Sequence, residues 1–130
     1  MIDDILAQVA RTSGPERLLS GGPLAYCIYN SRGGPRSSIL VFGFAPGARR
    51  PAVTVKLSND WDGASREQAA LARLAPKLPG RVPNLYLAGE RGGWRFLAME
   101  GVAGEPIPAG RLPRYLASIV ALIVDLHQEC

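Results

Sequence analysis

Apolar and polar residues alternate over Pro51–Leu57 (PAVTVKL), which sets Val53, Val55 and Leu57 on one face of a strand and Ala52, Thr54 and Lys56 on the other. Lys56 is thereby aimed away from the apolar side. After a polar loop, Ser58–Gly63, a helix pattern starts near Ser65, with Gln68 as its capping-box partner and Leu71, Leu74 and Ala75 at helical spacing. Glu67 falls one turn before Leu71, on the same inward face. A carboxylate there is costly to leave unpaired, and Lys56 is the nearby cation on a rigid element, so the pattern predicts an ion pair between strand and helix. Two ordinary roles compete with this one: the helix macrodipole favours a glutamate in a first turn, and a strand lysine is commonly a solvated edge residue.

The same patterns divide the rest of the chain. Ile2, Ile5, Leu6 and Val9 fall at helical spacing behind Asp3 and Asp4, which predicts a short amphipathic first helix packed on the sheet. Leu24–Asn30 (LAYCIYN) and Ile39–Phe44 read as strands, and the intervening Ser31–Ser38 (SRGGPRSS) reads as a hairpin loop. Its open backbone amides, with Ser31, Arg32, Ser37 and Ser38, could cover phosphates, or it is an ordinary hairpin tip. Ala45–Arg50 turns the chain into Pro51–Leu57, giving three consecutive antiparallel strands. Pro76 ends the helix near Ala75. Asn84–Glu90 and Trp94–Glu100, joined by Arg91-Gly92-Gly93, form a second hairpin and complete five strands. Gly101–Arg111, rich in glycine and proline, reads as a hinge. From Pro113 onward, Leu116, Ile119, Val120, Ile123, Val124 and His127 recur at helical spacing. The fold class is α+β: a five-stranded antiparallel sheet with one inserted helix, followed by a hinge and a C-terminal helix.

Composition narrows the function. The 130 residues suit one domain or one lobe, and 47% hydrophobic content supplies a core. The net charge is +4, but the basic residues are scattered singly apart from Arg49-Arg50 and are not interleaved with aromatics, which speaks against nucleic-acid binding. Cys27 and Cys130 lack metal-ligand spacing, so a reducing, cytoplasmic setting is expected. The acidic start does not resemble a signal peptide, and no apolar run has transmembrane length, so no membrane association is expected.

This layout resembles a protein-kinase-like small lobe, and the residues resemble it too. VTVK at Val53–Lys56 is similar to the V-A-I-K strand, and SREQAALARL at Ser65–Leu74 to the helix that carries the lysine's glutamate partner. Val82–Ile107, with its MEGVAGEPI segment, resembles the corresponding stretch of the aminoglycoside phosphotransferase and choline kinase-like family, and Leu126–Gln128 (LHQ) the end of that family's first large-lobe helix. The resemblance implies an ATP-binding lobe over residues 1–100, a hinge over 101–112, and the first helix of a large lobe over 113–130. It implies that Lys56 orients phosphates, Glu67 holds Lys56, and the loop with Ser31, Arg32, Gly33 and Gly34 covers the nucleotide. Thr54 would lie at the adenine ceiling, where many kinases carry alanine, Met99 behind the base, and the Glu100 carbonyl and Val102 N–H at its edge. The family's H-x-D-x-x-x-x-N catalytic loop is not in the sequence, so the resemblance implies a chain truncated before it. No catalytic or metal-binding residue is assigned, Mg²⁺ is expected only together with a large lobe, and the chain alone is expected to be inactive. A non-catalytic interaction module with a kinase-like lobe is the alternative. The apolar breadth of the terminal helix predicts self-association, docking of a partner chain, or folding back onto the sheet.

Overall fold

The computed structural model describes residues 1–11, 25–30, 38–101 and 108–129. Helix α1 spans Ile2–Arg11, followed by strands β1 (Ala25–Asn30), β2 (Ser38–Phe44) and β3 (Val53–Ser58). Helix α2 (Trp61–Leu74) precedes β4 (Leu85–Arg91) and β5 (Trp94–Glu100). A 3₁₀ turn at Ala109–Arg111 leads directly into helix α3 (Leu112–Glu129). The five strands form one sheet in the order β1-β2-β3-β5-β4, every neighbouring pair antiparallel. The expected α+β architecture is therefore the one found, with β3 at its centre.

Each face of this sheet carries a helix. On one side Ile5, Leu6 and Val9 of α1 enter a buried cluster with Val41, Val53, Val55, Leu57, Phe96 and Ala98. The i, i+4 pair Ile5 and Val9 faces the odd-numbered residues of β3, as the two periodicities require. Arg91 extends over the rim of this layer, its guanidinium 5.8 Å from the centre of the Phe96 ring. On the other side Ala64 and Leu74 of α2, with Ala75 and Leu78 just beyond it, are buried with Leu97 and Met99 of β5. The β4–β5 hairpin closes with Arg91 opposite Trp94, so only Gly92 and Gly93 make the turn, at φ +56° and +82°. Two successive positive φ values are what a two-residue hairpin of this hand demands and what glycine supplies without strain.

Several element boundaries differ from the sequence expectation. Helix α2 begins at Trp61, not near Ser65: Asp60 is its N-cap, accepting from the Gly63 N–H at 3.0 Å. Aspartate before a first turn satisfies an otherwise orphaned amide, and the W-D-G run that reads as polar loop is the first turn itself. Ser65 and Gln68 consequently form no capping box. Strand β3 begins at Val53, while Ala52 is held outside it: its N–H donates to Gly43 O at 2.8 Å and its carbonyl accepts from Gly101 N at 3.1 Å. Gly101 approaches so closely that a Cβ there would stand 2.1 Å from Pro51 O.

Helix α3 has no fully buried residue. Arg81–Asp125 and Lys77–Glu129 (3.3 Å) tie it to the segment between α2 and β4. Leu116, Val120, Ile123 and Val124 are about half exposed. No helix among the described residues is long and apolar enough to cross a membrane.

Candidate functional site

The alternation that buries Val55 and Leu57 turns Lys56 to the α2 side of the sheet, between its register partners Leu40 on β2 and Leu97 on β5. There its Nζ donates to Glu67 Oε2 of α2 at 2.6 Å. About a third of each side chain remains exposed, 30% and 34%. The ion pair read from the pattern is thus formed, and the ammonium retains donor capacity towards solvent, since lysine has three N–H bonds to give.

The β3–α2 connection aims this pair. Ser58, the last residue of β3 and a buried polar side chain, accepts from the Asp60 N–H at 3.1 Å, which sets Asp60 up to cap the helix. From β5, Arg95 donates to Gln68 Oε1 at 3.2 Å and lies over the Trp61 ring at 5.4 Å, while Trp61 Nε1 donates to Gly93 O at 3.2 Å. The sequence reading missed all four of Ser58, Asp60, Trp61 and Arg95. Asp60-Trp61, a capping residue followed by an aromatic, fits a helix start as well as a loop and does not decide between them.

Thr54 lies one row further along the same face, in register with Phe42 and Met99. This row of a small side chain between two apolar ones, next to the part-exposed Lys56, offers an apolar surface and a cation side by side. That donor set fits a ligand with a flat base at one end and phosphates at the other. Glu100 is placed differently. Its carboxylate accepts from Asn84 N at 3.2 Å and Asn84 Nδ2 at 3.1 Å, and its own N–H donates to Asn84 O at 2.8 Å. The side chain of Glu100 is thus engaged in closing the sheet. Nearby, burial first and the Glu100 charge second push the Tyr86 hydroxyl above the ordinary tyrosine value. Ser31, Arg32, Gly33, Gly34 and Val102 lie outside the described residues. Among the described residues no three of His, Cys, Asp and Glu gather closely enough to hold a metal ion.

An antiparallel five-stranded sheet whose third strand carries a lysine, salt-bridged to a glutamate on the helix that follows, defines a kinase-like small lobe. The model of the Phosphotransferase enzyme family matches residues 50–129, from the entry into β3 to the end of α3, and the chain belongs to that family. No curated protein and no solved structure matches the chain significantly.

Proposed function

We propose that residues 1–100 are the ATP-binding lobe of a cytoplasmic small-molecule phosphotransferase of the aminoglycoside and choline kinase-like kind, with residues 101–112 as hinge and 113–130 as the first helix of a large lobe. The observation that carries this reading is the Lys56–Glu67 pair at 2.6 Å on the central strand. The chemistry the nucleotide supplies is a transferable γ-phosphoryl group, destined for an alcohol group of a small molecule. Lys56 neutralises phosphate charge, and Glu67 keeps the ammonium from swinging into solvent. Thr54 lies at the ceiling over the base and Met99 behind it, the Glu100 carbonyl and the Val102 N–H address its edge, and Ser31, Arg32, Gly33 and Gly34 cover the phosphates. Transfer also needs an aspartate to orient the acceptor and ligands for Mg²⁺, and the sequence contains no H-x-D-x-x-x-x-N run to supply them.

A thermal-shift titration with ATP and ADP tests the reading, because a ligand that binds only the folded state raises the melting temperature. We expect weak binding that Lys56→Ala removes, and no turnover of aminoglycoside, choline-like or sugar acceptors by these 130 residues. Nanomolar binding untouched by Lys56→Ala would overturn the site. The exposed row Leu116, Val120, Ile123 and Val124 on α3 favours a second reading, an interaction module whose helix docks a second copy or a partner chain. Light scattering on the parent and on an Ile119→Asp, Ile123→Asp double variant separates the two: a concentration-dependent mass lost in the double variant supports the second.

A further inference from the structure

An ion pair fixes a distance, but it does not fix the roll of a helix about its own axis. Something else must set the roll. Trp61 and Gln68 are seven residues apart, two helical turns, and so lie on one face of α2 about 10 Å apart along its axis. Ala64 stands between them on that face and is buried. Arg95 engages both ends of this face at once, its guanidinium over the Trp61 ring and its Nη2 on the Gln68 amide oxygen. Glu67, one position before Gln68, points about 100° away round the helix. A planar, always-charged fork that stacks and donates in a fixed geometry suits this task, and a lysine would not reproduce it.

We propose that Arg95 is a positioning residue for the site: by spanning Trp61 and Gln68 from β5 it sets the roll of α2, and through that roll it aims Glu67 at Lys56. Its consequence for nucleotide affinity rests on the function proposed above, whereas its effect on the ion pair does not. The hydrogen bond and ring contact of Arg95 go to Gln68 and Trp61, not to Lys56 or Glu67, so its action on the pair runs through the helix. Register strengthens the point. Arg95 pairs with Ser58, the residue that sets up the Asp60 cap, so a single cross-strand pair governs both where α2 starts and how it is turned.

The sequence contains two lysines, Lys56 and Lys77. In the full chain labelled with ¹³C-lysine, the two side-chain ε signals report Lys56 and, as an internal control, Lys77 with its partner Glu129. Arg95→Met is expected to move the Lys56 signal towards its position in Glu67→Gln and to leave Lys77 where it was. Gln68→Leu, which keeps a good helix former and removes the acceptor, is expected to move it in the same direction by less. ADP affinity should fall on the order of tenfold in Arg95→Met, with no further loss when Arg95→Met is added to Glu67→Gln, the mark of residues acting as a unit. A Lys56 signal that stays put in folded Arg95→Met, or in Gln68→Leu should Arg95→Met fail to fold, overturns the positioning role and leaves the nucleotide reading standing. If the parent does not bind ADP while the Lys56 signal still follows Arg95, the nucleotide reading falls and the positioning role stands.

Discussion

On β3 the side chains of Val53, Val55 and Leu57 are at most 1% exposed, whereas Thr54 and Lys56 between them are only half buried. The two sets alternate along a single six-residue strand and differ in what covers them. Helix α1 seals the first face with three apolar residues. Helix α2 covers the second face in part, and its Glu67 and Gln68 take up the charged groups that β3 and β5 present. The sealed face therefore holds the main apolar cluster, and the half-open face holds the Lys56–Glu67 ion pair.

The largest effect that would test this division lies on the sealed face. Phe96→Ala, at a site 1% exposed, should destabilise the fold by about 3–5 kcal/mol, read from denaturant unfolding. A loss far smaller would mean that the α1 face is not the principal core. Next comes the seam where the strands meet the hinge. Gly101→Ala would drive a methyl group into the Pro51 carbonyl, and backbone cannot yield as a side-chain tip can, so a loss of about 1–3 kcal/mol is expected. Smaller still is the stability effect of Lys56→Met on the half-open face. A part-exposed ion pair contributes about 1 kcal/mol or less, so the melting curve should barely move while the nucleotide-induced shift disappears. A large destabilisation there would show that the pair is structural.

The smallest effect is one of pH. Tyr86 holds its proton more tightly when folded, through burial and then the Glu100 charge. Below the ordinary tyrosine value both states carry the proton and stability is untouched. As the pH rises past about 10 the unfolded chain releases it first, and the folded state loses stability until its own raised value is passed. Tyr86→Phe should flatten that part of the decline in melts taken across this range, with little change at neutral pH.

Much of this was legible in the sequence because two periodicities do most of the work. The period-two run at Val53–Leu57 specified both the buried face and the direction of Lys56, and glycine pairs marked the β4–β5 turn. The α2 start was not legible. Asp60-Trp61-Asp62-Gly63 is as polar as a loop, and only the Asp60–Gly63 hydrogen bond distinguishes a first helical turn from a bend. Arg95 escaped for a related reason: its partners Trp61 and Gln68 are 34 and 27 residues away, and no local spacing encodes a contact made across a sheet. The Glu100 carboxylate, similarly, gives no sign in the sequence that Asn84 will take it.

The alternation on β3 has a consequence for how the chain avoids misfolding. A slip of one residue in strand pairing turns every side chain to the opposite face. For an all-apolar strand such an error is mild, but here it would thrust Lys56 under α1, into the place of Val55 between Val41 and Ala98, and pull it away from Glu67. Burying an unpaired ammonium is penalised by several kcal/mol, comparable with the whole stability of a small domain. The residue that faces the phosphates in the proposed function thereby also guards the register of the central strand, so the in-register sheet and the correctly aimed lysine are selected together.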